Sequence, residues 1–104
     1  MTTSLIGKYV IVRSSPSGCW AGTLTSLEGD TATLANARRL WRWWAAEGVS
    51  LSGVAAAGLH PEHLGDCLIA AAVETAAVFQ VCEILVASTA ARESVEAQPA
   101  RGAK

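Results

Sequence analysis

Charge is scarce in this chain: 16% of its 104 residues are charged against 51% hydrophobic, and the net charge is −1. That balance argues against a general duplex-DNA binder, because such proteins neutralise many phosphates and are usually basic. It also leaves a single domain of this length short of polar surface to cover itself, so a homo-oligomer is expected. Metal-binding cysteine patterns are lacking as well. Cys19, Cys67 and Cys82 form no CxxC pair and no Cys/His spacing, and an odd count fits a reducing cytosol with the thiols used as small apolar groups.

Other absences narrow the function further. No phosphate-binding Walker loop, no G-x-S-x-G elbow and no dinucleotide fingerprint occurs. His60 and His63, with Glu62 and Asp66 close by, straddle Pro61 at a spacing that matches no zinc signature, and read as loop histidines. Neither an enzyme, a metal nor a cofactor is therefore expected. Met1 to Gly7 has no charged-then-apolar leader, and the apolar-leaning run Cys67 to Ala87 is interrupted by Glu74, Gln80 and Glu83, so no membrane association is expected.

What the chain does carry is unevenly placed. Up to Ala46 the bases Lys8, Arg13, Arg38, Arg39 and Arg42 face only Glu28 and Asp30; from Glu47 onward seven acids meet three bases. A nearly neutral protein can thus present a local positive site. Its centre is Asn36 to Trp44, N-A-R-R-L-W-R-W-W, with three arginines and three of the four tryptophans. Guanidinium forks match phosphate and carboxylate and stack on rings, so Arg38, Arg39 and Arg42 are candidate clamps for an anionic ligand, with Trp41 or Trp43 stacking a base. Arg13 and Trp20, on neighbouring strands, are candidates for the same surface. Asn36 is a candidate for a base edge, or for a turn or bulge. The competing reading makes the tryptophans core or interface anchors and pairs the arginines with Glu74, Glu83 or acids of another subunit.

The coarse pattern is β-rich. Lys8 to Arg13, K-Y-V-I-V-R, predicts a first strand, ended by the turn cluster S-S-P-S-G. Cys19 to Leu27 predicts a second, closed by a hairpin turn at Glu28 to Asp30, with Gly22 marking a bulge or a close backbone approach. Asp30 to Trp44 fits either a strand or an amphipathic helix, and the strand is favoured because the hairpin hands the chain on already extended. As a strand it sets Arg39, Trp41 and Trp43 on one face and Arg38, Leu40, Arg42 and Trp44 on the other. Ser50 to Gly58 predicts a short helix capped by Ser50, with Leu51, Val54 and Ala55 on one side and Gly58 ending it. His60 to Asp66 is expected to be a loop. Cys67 to Ala87 is read as two strands, Leu68 to Glu74 and Ala76 to Ala87, with a helix as the alternative. A C-terminal helix begins at Ser88 or Thr89. The expected class is α+β, mostly β: a small antiparallel sheet or partly open barrel with one short internal and one short C-terminal helix, one domain over residues 1–97, and a tail over 98–104.

The succession G-K-Y-V-I-V-R, S-G, W-A-G-T-L, then N-A-R-R-L-W-x-W and S-L-S, from Gly7 to Gly58, resembles small proteins of unknown function from tailed-phage genomes. Beyond Gly58 the likeness is one of hydrophobic pattern. It implies a β-rich fold with a small helix after the arginine-tryptophan segment. A relation to phage Thoeris anti-defence proteins would imply sequestration of a cyclic nucleotide or cyclic ADP-ribose-type signal in the host cytoplasm. The chain departs from the pattern at Trp44 to Glu47, where a glycine-containing turn is expected, and at Ala70 to Ala77, which lacks acidic and isoleucine-rich character. The alternative is a virion structural or decoration protein, or an inhibitor of a host protein, that uses the same patch as an interface.

Overall fold

A computed structural model describes residues 5–43, 45–46 and 51–99, with the side chains at 63, 65 and 66 outside that description. Its strands are β1 (Tyr9–Ser14), β2 (Gly18–Glu28), β3 (Thr31–Arg42), β4 (Leu68–Ile69), β5 (Val73–Val78) and β6 (Val81–Val86); its helices are α1 (Leu51–Ala57) and α2 (Thr89–Glu96). All pairings are antiparallel. The sheet runs β4-β3-β2-β1-β6, with β5 also on β3, and it is not closed. The fold is thus mostly β with one internal and one C-terminal helix, as the pattern predicts.

The long β2–β3 hairpin shapes the molecule. Gly29 opens its two-residue turn at φ 60, the conformation such tight hairpins need. Between Ala21–Arg38 and Thr23–Ala35 the register gains one residue on β3, and Asn36 takes φ 52 there. Gly22 lies opposite this bulge: a Cβ on it would fall 2.9 Å from the Ala35 carbonyl oxygen and 3.2 Å from Ala37 Cα. Bulges increase local twist. The hairpin tip accordingly reaches β6, where Val81 N donates to Asp30 O at 2.8 Å.

Because the sheet curls and also carries helices, it is buried on both faces, which is why β1 reads as an unbroken apolar run. One face gathers Val10, Val12, Leu24, Leu34 and Val78; the other packs Tyr9, Ile11, Leu40 and Ile69 against Leu51, Val54 and Ala55 of α1 and Val95 of α2. Gly58 stops α1 at φ 92, its N–H bonded to Val54 O at 2.7 Å. Ser88 caps α2, its hydroxyl accepting from Ala91 N at 3.0 Å.

Three details differ from expectation. The run Cys67 to Ala87 holds three strands instead of two: Ala70 to Ala72 leave the ladder after β4, and Gln80, at φ 57, turns the chain between β5 and β6. His60 to Asp66 is not a plain loop. A 3-10 helix spans Pro61–Asp66, started by the proline and by His60 Nδ1, which accepts from Glu62 N at 3.2 Å. Gln98, the first residue of the expected tail, is buried, with its amide donating to Ser94 O. Trp44, the Ser50 cap and residues 100–104 lie outside the described residues. Among the described residues no helix is long and apolar enough to cross a membrane.

Candidate functional site

Adjacent strand residues point to opposite faces, and this separates the two neighbouring arginines completely. Arg39 pairs directly with Trp20 across β2–β3, and Trp41 follows two residues later on the same face. The Arg39 guanidinium carbon consequently sits 5.7 Å from the Trp20 ring centre and 4.3 Å from that of Trp41. The cation lies within reach of both indole faces, within the range where the ring quadrupole attracts it. Its nitrogens also lie against the β1–β2 turn: a Cβ on Gly18, which holds φ 83, would meet Arg39 Nη2 at 3.0 Å. The Trp20 indole N–H donates to Ser17 O at 2.9 Å, which fixes that ring. Trp41 is 53% exposed.

Arg39 differs from Arg38 in what its donors do. Among the described residues its guanidinium makes no ion pair and no hydrogen bond. Among the described residues its charge is held by π-faces alone, and none of them takes its N–H groups.

Arg38 points the other way and is 7% exposed. Its Nε donates to Ala70 O at 2.7 Å and its Nη1 to Val95 O at 2.9 Å, with longer bonds at 3.4 Å to Glu96 O and Ile69 O. It therefore ties β3 to the carbonyl end of α2 and to the β4–β5 connection, a favoured place for a cation. Burial pulls its pKa below the usual arginine value. Arg38 edges a groove of about 410 Å³ shared with Asn36, Ala71, Ala72 and Glu96.

The remaining candidates are dispersed. Arg13 pairs across β1 with Cys19, whereas Trp20 pairs with Val12, so the two side chains lie on opposite faces; Arg13 instead bridges Glu83 of β6 at 3.2 Å. Trp43 lies beyond the end of β3 and packs against the helix-side core, not beside Arg39 and Trp41. Arg42 is exposed at the last position of β3, opposite Leu68. Asn36 is exposed and serves as the bulge residue, the turn role open to it from the sequence. The structure thus brings together Trp20, Arg39 and Trp41, and leaves Arg13, Arg38 and Trp43 on other surfaces.

One residue near this end escaped the sequence reading. Phe79, just before the β5–β6 turn, is 57% exposed. Its carbonyl accepts from Ser14 Oγ at 2.6 Å, and Ser14 Oγ in turn accepts from Ser17 N at 3.2 Å. This relay anchors the turn at Phe79 to the same Ser17 that holds the Trp20 ring. The only sequence signal was an aromatic at the end of a β-branched run.

Two further groups bear on chemistry. Among the described residues the buried Tyr9 hydroxyl has no hydrogen-bond partner, and its ring lies 5.0 Å from the Arg92 guanidinium carbon. Burial, with Glu96 adding, pushes its pKa up to about 12 against the opposing pull of Arg38 and Arg92. The three cysteines form no disulfide: Cys19 and Cys67 are buried as expected of apolar cysteines, but Cys82 is exposed and donates to Arg13 O at 3.3 Å. Burial raises the Cys19 pKa. Among the described residues no group of three or more histidine, cysteine or acidic side chains could hold a metal ion.

A family model described as Domain of unknown function (DUF6948) matches residues 7–95. The chain belongs to this family. The match takes in all six strands and both ends of the Trp20–Arg39–Trp41 stack, and ends at Val95, whose carbonyl Arg38 binds. No curated protein and no solved structure matches the chain.

Proposed function

We infer that this DUF6948 chain is a non-enzymatic binding protein whose working surface is Arg39 with Trp20 and Trp41, and whose ligand is a planar anion of the nucleotide class. One observation carries the reading: a guanidinium held against two indole rings with no ion pair or hydrogen bond among the described residues, beside a tryptophan that is 53% exposed. A phosphate or carboxylate would take the free N–H groups, and a base would stack on Trp41. Capture of this kind needs no catalytic group, only charge and rings already in place. Given the resemblance to tailed-phage proteins, the ligand class is a nucleotide-derived immune signal, such as a cyclic nucleotide or a cyclic ADP-ribose isomer, sequestered in the host cytoplasm.

A second reading rests on a specific observation. Trp41 and Phe79 are both more than half exposed, and with Arg38 and Arg13 engaged elsewhere the patch retains few cations. Such a surface also suits a protein partner, as in a virion component or an inhibitor. A thermal-shift screen with cyclic di- and trinucleotides and cyclic ADP-ribose isomers separates the two. A ligand at ~100 times its dissociation constant adds about 2.7 kcal/mol of stability. Under the ligand reading Arg39→Met abolishes that shift, while the unliganded protein still melts cooperatively, at a temperature lowered only by the loss of the two ring contacts. No shift with any of these ligands moves the assignment to the partner-binding reading.

A further inference from the structure

We propose that β5 is the self-association edge of this protein, pairing antiparallel with β5 of a second copy across a two-fold axis. The inference does not depend on the nucleotide reading.

Sheet edges offer unpaired N–H and C=O groups, and monomeric proteins blunt them with lysine, proline, bulges or covering segments. β5, V-E-T-A-A-V, has none of these devices. Its pairing with β3 runs without a register shift, and its single charge is Glu74. Val73, Thr75 and Ala77 are all exposed, so one face of the strand lies open along its length, while on the other Glu74 is exposed and Ala76 and Val78 pack on the core. Val73 is 43% exposed, and Phe79 just past the other end 57%. Among the described residues no hydrogen bond reaches the strand's outer edge. Of the other outer strands, β4 is only two residues long and β6 is less suited. Strand β6 carries Glu83 in an ion pair with Arg13 and a register irregularity at its start.

The hydrogen-bond phase identifies which groups point outward. In a two-residue hairpin the closing pair, here Glu28 and Thr31, is hydrogen-bonded, so Thr31 and Thr33 turn their backbone groups to β2, whereas Ala32 and Leu34 turn theirs to β5. Val78 and Ala76, opposite Ala32 and Leu34, bond inward to β3. Thr75 and Ala77 therefore present their N–H and C=O groups outward.

A second copy fits this edge because the strand is self-complementary. An axis at Ala76 sets Thr75 against the partner's Ala77, so outward groups meet outward groups. It brings Val73 opposite the partner's Phe79 at both ends, covering two exposed apolar side chains per copy. Glu74 then meets the partner's Val78, so no carboxylates oppose each other. The low charge of the whole chain, 16% against 51% hydrophobic, fits a surface of this kind being covered in the working state.

Sedimentation equilibrium over a wide concentration range tests the proposal on the full chain. The wild type should reversibly dimerise. Thr75→Pro removes an outward N–H from each copy and leaves the inward ladder to β3 intact; it should raise the dimer dissociation constant by roughly tenfold or more. Ala77→Lys, a charge on the exposed strand, should do the same without altering backbone conformation. Circular dichroism and melting temperature of the diluted variants should match those of diluted wild type, showing that the fold is retained. Trp41→Ala should leave the mass unchanged, which keeps failure of this proposal distinct from failure of the ligand reading. A wild type that stays monomeric at every concentration, or an oligomer whose mass survives both β5 substitutions, overturns it.

Discussion

Replacing Arg38 by methionine would test the division of labour between the two adjacent arginines. The substitution keeps most of the apolar stem but removes donors to Ala70 O at 2.7 Å and Val95 O at 2.9 Å, along with the two longer bonds. Hydrogen bonds from a charged donor contribute about 1.5–3 kcal/mol each, so losing the two short ones removes about 3–6 kcal/mol and orphans carbonyls at the end of α2 and after β4. Relief of the buried charge, whose cost shows in the lowered Arg38 pKa, returns part of this. The net loss should be about 3–5 kcal/mol, a large share of the roughly 5–15 kcal/mol that holds a domain together. Urea unfolding followed by circular dichroism is a suitable assay: with a slope of about 1–3 kcal/mol/M the midpoint falls by roughly 2 M. Arg38→Lys should lie between, because one ammonium cannot reach both the connector and the helix end as the planar fork does. Arg39→Met, which breaks no hydrogen bond, should cost only the cation–π contacts, about 0.5–2 kcal/mol. An Arg38→Met variant less than about 1 kcal/mol weaker than wild type, with an unchanged slope, would refute the structural role of this guanidinium.

Tyr9→Phe deletes a buried hydroxyl that has no partner among the described residues, so stability at neutral pH should be unchanged or higher by up to about 1 kcal/mol. The same group sets an alkaline limit. The folded pKa of about 12 lies above the ordinary 10.0, so the unfolded chain loses this proton first, and stability present below pH 10.0 declines as pH rises towards 12. That decline amounts to about 2–3 kcal/mol and should vanish in Tyr9→Phe, as urea midpoints measured across this window would reveal. Gly22→Ala drives a methyl group to 2.9 Å from the Ala35 carbonyl oxygen, and the β2–β3 pair must part locally. A loss of about 2–3 kcal/mol is expected in the same denaturant assay.

The parts of the fold legible in the sequence are those with local chemical punctuation. K-Y-V-I-V-R before S-S-P-S-G, the Gly29 hairpin, Gly58 after α1 and the Ser88 cap each act within a few residues, and each stands where the pattern put it. The last third of the chain lacks such marks. Three alanines break the ladder after Ile69, and a glutamine adopts the left-handed conformation at the final turn, so nothing in composition announced three strands. The site was legible as a segment but not as a surface. Residue types picked out Asn36 to Trp44 and strand alternation put Arg39 with Trp41, yet which of the two arginines met Trp20 depended on the register of β3 after the bulge. That register is shifted by the extra residue at the Asn36 bulge, which Gly22 accommodates across the hairpin. Trp43 was assigned to the Arg39 face because alternation was extended one residue past the end of β3 at Arg42.

The central claim, that Arg39 with Trp20 and Trp41 forms the ligand surface, is tested most directly by a nucleotide titration followed residue by residue in NMR spectra of the indole N–H and arginine Nε–H resonances. The account predicts saturable shifts at Trp41 and Arg39, a smaller one at Trp20, whose N–H is fixed on Ser17, and none at buried Arg38. Saturable shifts confined to Asn36 and Arg38 at the groove beside α2, or no shift at the three stacked residues with any cyclic nucleotide or cyclic ADP-ribose isomer, would contradict it.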